Sequence, residues 1–322
     1  METPTPKDPT RRERARIIRI IVNGRAALDP RLREAVAQVR ERGHRVEVRV
    51  TWEPGDARQF AAEAAESGIG TVVAAGGDGT LHEVVNGVVG TGEPMACALG
   101  VLPLGTANDF ATTCGIPTAD LLDALMLIAE GTPAPIDVGR LGQRAFINVA
   151  SGGFGAQVTV ETPQELKRML GAAAYFLTGL RHVTDLQACH ASLAAPEFTW
   201  EGAFYALAVG NGRQAGGGFQ ICPRALLDDG LLDVVVIPSM PRALLLTLLD
   251  DLRRATHLED RHIVYRRVPV LRIESDEQLQ VNLDGEPIRG DSFFFETLPR
   301  RIPFFLPPTA PLRGQLNGDS IH

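Results

Sequence analysis

Lysine is nearly missing from this 322-residue chain: Lys7 and Lys167 are the only two among 32 basic side chains, and the other 30 are arginine. No lysine stands beside a glycine-rich loop, which excludes the Gly-x-x-x-x-Gly-Lys-Ser/Thr phosphate loop, whose lysine reaches the β- and γ-phosphates. Phosphate bound here must be met by backbone amides, arginine or a metal ion. Cysteine is sparse too, and Cys97, Cys114, Cys189 and Cys222 show neither metal-ligand spacing nor a disulfide framework. A cytoplasmic setting is therefore expected. Long apolar runs are absent: the best candidate, 243–249, is broken by Thr247 and stopped by Asp250-Asp251, well short of the roughly 20 residues a membrane helix needs. Residues 1–16 are rich in proline and arginine and lack the apolar core of a signal peptide. A net charge of −7 argues against a nucleic-acid-coating role.

What is present is ordinary globular composition, 44% hydrophobic and 22% charged, over a length that suits two cores. The first half alternates strand and helix patterns. Ile17 to Val22 reads as a strand ending at Asn23-Gly24, Pro30 to Arg42 as a helix stopped by Gly43, and Val46 to Thr51 as a strand alternating valine with charge. Helices are expected at 55–67, 81–89 and 121–129, and strands at 70–75 and 98–102. Such alternation implies βαβ units, a parallel sheet covered on both faces, and ligands at the carboxyl ends of its strands. There Asn23, Thr51, Gly76 and Pro103 would gather. After about Pro133 β-branched and aromatic segments follow, separated by glycine-rich turns: 146–150, 204–209, 231–237, 268–273, 279–283 and 292–298. A mostly antiparallel sandwich or barrel fits them, interrupted by two helices, one starting at Thr162-Pro163-Gln164-Glu165 and one over about 242–256.

Four motifs carry the chemistry. Strand 70–75 runs into Gly76-Gly77-Asp78-Gly79-Thr80 and then a helical pattern. Glycines let the backbone approach a bulky anion, and the amides of a helix start face it with the positive end of the dipole. A carboxylate beside phosphate is repulsive without a cation or donor between them, so Asp78 hints at Mg²⁺ or proton handling. The next strand runs into Pro103-Leu104-Gly105-Thr106-Ala107-Asn108-Asp109-Phe110-Ala111, which taken alone is also a helix capped by Asn108 or Asp109. Gly210-Asn211-Gly212-Arg213-Gln214-Ala215-Gly216-Gly217-Gly218 leads to a turn around Asp228-Asp229-Gly230 whose carbonyls and carboxylate suit a hard cation. Leu283-Asp284-Gly285-Glu286-Pro287 sets two carboxylates around a glycine just after a strand, and in a phosphoryl transferase one of them takes a hydroxyl proton. His82, on the helix after the first loop, is expected to face solvent or to sit behind the reacting groups.

In this order, the four motifs resemble those of the diacylglycerol kinase catalytic family, over roughly Arg16 to Arg313. The resemblance implies an α/β fold: a doubly wound parallel-sheet nucleotide-binding domain, like those of NAD kinase and phosphofructokinase, followed by an antiparallel β-sandwich domain. The expected bounds are a disordered tail at 1–15, a catalytic domain at 16–138 with a returning segment at about 300–313, and a sandwich domain at 139–299. Carried over by position, Thr51, Gly77, Asp78, Gly79, Thr80, Leu81, His82, Glu83 and Thr106 hold ATP, and Glu286 is the proton acceptor. A structural Mg²⁺, or Ca²⁺ in its place, sits on the carbonyls of Leu226 and Leu231 and on the Asp229 carboxylate. The first loop departs from the family's frequent Asn-Pro-x-x-Gly, being Asn23-Gly24-Arg25, and no phosphate contact is assigned to Arg25.

The expected activity is an ATP-dependent lipid kinase acting on phosphatidylglycerol or a diacylglycerol-like hydroxyl, working from the cytoplasm with transient contact at the inner membrane face. Domain closure is expected to bring Glu286 to the nucleotide. Two other readings stay open: a kinase of a soluble hydroxyl compound such as NAD, and a catalytically silent nucleotide-binding protein.

Overall fold

The computed structural model describes residues 16–89, 97–153, 188–241, 244, 251, 256–259 and 262–313. The tail with Arg11, Arg12 and Arg14 and the helix expected from Thr162 lie outside the described residues, as does most of the helix expected over 242–256.

The first half is a parallel sheet of β1 (Ile17–Asn23), β2 (Arg45–Thr51), β3 (Thr71–Gly76) and β4 (Ala98–Pro103), in the order β2-β1-β3-β4. Its helices are α1 (Pro30–Glu41), α2 (Asp56–Glu66), α3 (Asp78–Val89), α4 (Asp109–Cys114) and α5 (Leu121–Glu130). Every residue of β3 and β4 is buried, as uninterrupted apolar strands between two helix layers must be. Strand β2 lies at the sheet's edge, which is why its valines alternate with charge. Helix α1 starts where its sequence directs, with Asp29 accepting from the Arg31 amide and Pro30 in the first turn. Helix α3 begins at Asp78, three residues before the apolar spacing predicts, because the Leu81 amide bonds back to the Gly77 carbonyl at 3.1 Å. Helices α2 and α3 pack so closely that a Cβ on Gly87 would run into Arg58 and Ala61.

The second half is antiparallel: β5 (Ala134–Leu141), β6 (Arg144–Phe146), β7 (Val149–Gly153), β8 (Cys189–Ala195), β9 (Phe198–Gly210), β10 (Leu232–Pro238), β11 (Val264–Val268), β12 (Val270–Leu283) and β13 (Glu286–Phe304). The order is β11-β10-β9-β7-β12-β13, with β8 bridging β9 and β12 and β5 pairing with β13 and β6. Inward residues such as Phe204, Leu271, Ile273, Leu283 and Phe295 build a second core, separate from that of the first half. The single strand expected over 146–150 is split into β6 and β7, because the amides of Ile147 and Asn148 are turned onto the Asp284 carboxylate.

Strand β13 joins the halves. Its first part pairs with β12, and its last residue, Phe304, pairs parallel with Leu99 of β4. Between them the pairing with β5 slips between Leu298 and Ile302, around Pro299 and a left-handed Arg300 with φ 50°. The fully buried Asp137 staples this irregularity, its two oxygens accepting from the Arg300 and Gly230 amides, both at 2.6 Å. Phe304 and Phe305 then enter the first-half core, each contributing about 2–3 kcal/mol by burial.

Candidate functional site

The two glycine loops at the carboxyl ends of β3 and β4 touch backbone to backbone. A Cβ on Gly105 would fall on Gly77, within 3.0 Å of its nitrogen, and 2.8 Å from Asn108 Oδ1. The Leu104 amide donates to the Gly76 carbonyl at 2.9 Å, zipping the loops at their base. Gly79 and Thr106 are exposed, and nothing lies within 4 Å of where a Gly79 Cβ would be. The result is an open, amide-lined surface at a helix start, a shape and polarity that suit phosphate.

Asp78 fastens this surface. Its carboxylate accepts from the Asp109 and Phe110 amides, both at 3.1 Å, and from Asn148 Nδ2 at 3.3 Å. It thereby caps α4 from another loop. Asn108 occupies the N-cap position of α4 with φ 51°, but its own side chain closes on Gly105, accepting from the amide and donating to the carbonyl. The self-capped helix is thus corrected to one capped from a distance. Burial, then the neighbouring Asp109 charge, push the Asp78 carboxyl up; the two amides oppose them, and Asp284 adds to the rise. Asp109 points the other way and reaches the second half, accepting from the Gly217 amide at 2.9 Å and the Gly218 amide at 2.8 Å. Those glycines, at φ 87° and 102°, adopt a backbone that side chains resist.

The hairpin between β12 and β13 lies against α3. Asp284, its side chain wholly buried and its backbone left-handed, accepts from the amides of Ile147 at 2.7 Å, Asn148 at 3.0 Å and Val149 at 3.1 Å. The same carboxylate meets His82 Nδ1 at 3.4 Å. His82 is only 7% exposed, so it lies inside the junction and not in solvent. Burial alone lowers its pKa, but the Asp284 bond and the charges of Asp284, Glu286 and Glu83 outweigh it and raise the value. Glu286, the first residue of β13, is exposed beside this pair. Asn86, one turn along α3, holds both the amide and the carbonyl of Ala145 at 2.9 Å. The hairpin that carries Glu286 therefore rests on the helix that starts at the glycine loop.

Of the other residues singled out by sequence, Thr51 ends β2, and the Glu83 carboxylate holds the loop that follows by accepting from the Gly55 amide at 3.1 Å. The Leu81 side chain is in the core, which leaves only its main chain for a ligand. Sequence pattern singles out none of Asp284, Asn148 and Asn86: Asp284 stands in the last of the four motifs, whereas the two asparagines give no local signal.

The expected cation loop carries an ion pair. Asp229 accepts from the Leu231 amide at 3.1 Å, and its other oxygen is ion-paired with the Arg267 guanidinium. Arg267 also approaches Asp233 Oδ2, with Nε at 3.5 Å. No group of three or more acidic, His or Cys side chains among the described residues is placed to hold a metal ion by side chains alone. The groups expected to hold a divalent cation here are the carbonyls of Leu226 and Leu231 and the Asp229 carboxylate, which in this arrangement is shared with the Arg267 guanidinium.

Known proteins share this architecture. The diacylglycerol kinase catalytic domain matches residues 18–141, and the YegS C-terminal NAD kinase beta sandwich-like domain matches residues 148–305. A "probable lipid kinase YegS-like" protein of Xanthomonas euvesicatoria is 48% identical over 92% of this chain and 98% of its own length. One from Pseudomonas aeruginosa is 46% identical over 91% and 95%. A crystal structure from Bacillus anthracis, described as "a putative diacylglycerol kinase", superposes with TM-score 0.80 at 25% identity, covering 92% of this chain and 96% of its own. The chain belongs to the YegS-like lipid kinase family.

Proposed function

We propose that this protein transfers the γ-phosphoryl group of ATP to the hydroxyl of a lipid, with phosphatidylglycerol or a diacylglycerol-like molecule as acceptor. ATP enters with its Mg²⁺ as the substrate complex and lies along the carboxyl ends of the parallel strands. Its phosphates rest on the amides of Gly77 to Thr80, flanked by Thr106, and its nucleoside extends toward Thr51. Glu286 takes the hydroxyl proton as the lipid oxygen attacks the γ-phosphorus; the new P–O bond forms while the bridging bond to ADP breaks. Asp78 braces the two glycine loops, and His82 with Asp284 orients the hairpin from which Glu286 projects. Approach to the inner membrane face is transient, and no helix among the described residues is long and apolar enough to cross a bilayer.

The observation that carries this reading is the His82–Asp284 contact, which links the helix of the glycine loop directly to the hairpin bearing an exposed carboxylate. A nucleotide sensor has no need of such a carboxylate beside its phosphates. The test is transfer from γ-labelled ATP to a total lipid extract, with NAD as a competing soluble acceptor, for the native protein and for Glu286→Gln. Labelled phospholipid from the native protein alone is the expected product. Labelled NADP, or undiminished lipid labelling by Glu286→Gln, overturns the assignment.

A further inference from the structure

Trp52 is 91% exposed, yet its main chain is firmly held. The amides of Trp52 and Glu53 donate to Asp56 Oδ2 at 2.8 and 3.0 Å, and Gly55 is tied to Glu83 on α3. The fold gains almost nothing from this indole, because no core residue covers it. It follows Thr51 directly, at the carboxyl end of β2, where α/β sheets receive ligands.

The sheet order β3-β1-β2 separates the glycine loop from Trp52 by two strand spacings. At about 4.8 Å each this is about 10 Å, within the reach of an extended nucleoside triphosphate from its phosphates to its base. The intervening loop approaches closely: Asn23 pairs with Thr51, and a Cβ on Gly24 would lie 2.9 Å from the Thr51 carbonyl oxygen. That loop is fixed by the Ala26 amide donating to Asn23 Oδ1 at 2.9 Å, and it carries Leu28, also largely exposed. We propose that Trp52 is the stacking platform for the purine base of the nucleotide. This rests on the nucleotide reading above and adds to it the residue that grips the base.

Every base has a π-face, and an indole offers it a broad aromatic surface. An exposed tryptophan also suits a bilayer interface. The acids beside it, Glu53 and Asp56, weigh against docking on an anionic membrane and leave a neutral aromatic ring unaffected.

The experiment compares ATP with inorganic tripolyphosphate, which has the phosphates but no base, by equilibrium dialysis on the native protein, Trp52→Ala and Trp52→Phe. Trp52→Ala is expected to weaken ATP binding about tenfold and leave tripolyphosphate binding unchanged, with Trp52→Phe in between. In a Trp200→Phe background, where Trp52 is the sole tryptophan, ATP should quench its emission, whereas vesicles of phosphatidylglycerol should not shift it. Equal ATP affinity in all three proteins overturns the stacking role while leaving the nucleotide site standing. A blue shift on vesicles without an ATP effect assigns Trp52 to the membrane instead. Failure of the native protein to bind either ligand removes the nucleotide reading, and this inference with it.

Discussion

The two halves of the molecule supply the site with different kinds of group. The first half contributes backbone: the amides of Gly77 to Thr80 on a loop braced by Gly105 and by the Asp78 carboxylate. The second half contributes side-chain carboxylates, Asp284 buried under three amides and Glu286 left exposed beside it. A backbone cradle depends on what is missing, since any added Cβ blocks it. A carboxylate depends on its own charge and position. The first region should therefore be most sensitive to added atoms, and the second to isosteric changes of charge.

The largest expected effect separates them cleanly. Glu286→Gln should lower lipid phosphorylation by about 10²–10⁴-fold while ATP affinity changes less than about twofold, measured by labelled transfer and by dialysis. Next come two glycine substitutions with opposite structural consequences. Gly105→Ala drives a methyl into Gly77 and Asn108 and should destabilise the fold by about 1–3 kcal/mol in urea unfolding. Gly79→Ala meets nothing within 4 Å; its unfolding free energy should stay within about 1 kcal/mol of native, yet ATP binding should weaken, because the methyl stands where phosphate approaches. If Gly79→Ala binds ATP normally, the cradle is not where the phosphates lie.

A smaller effect probes the contact between the halves. His82 has a raised pKa in the fold, so its pairing with Asp284 stabilises fully below the ordinary histidine value of about 6.5 and is lost as pH rises through the folded value. His82→Asn should lose about 1 kcal/mol relative to native at pH 6, and the gap should narrow by pH 9. Urea titrations at both values decide; a gap that widens with pH contradicts the sign.

Much of this was readable in advance because it is local. The phosphate loops announce themselves by glycines between an apolar run and a helical pattern, and α1 by Asp29-Pro30. Strands β5, β8 and β11 were not anticipated: Ala134–Leu141 and Cys189–Ala195 mix small, polar and apolar residues without a clean period, and become strands only by pairing with β13, β9 and β12. His82 looks peripheral in sequence because nothing near it shows that a residue 202 positions away will contact it and raise its pKa. The Arg267 partner of Asp229 is illegible for a similar reason, since it reaches the loop from β11.

By itself the sequence determined the order of elements, the two-domain α/β character and the four motifs, since all three follow from short-range pattern and residue chemistry. Only the tertiary structure decided which of those groups confront one another. The Asp78 cap on α4, the Asp109 grip on Gly217 and Gly218 and the Asp284 seat under His82 are contacts between distant segments. Their existence depends on β13 crossing from the sandwich to Leu99 and drawing the two cores together, a long-range pairing that no local preference encodes.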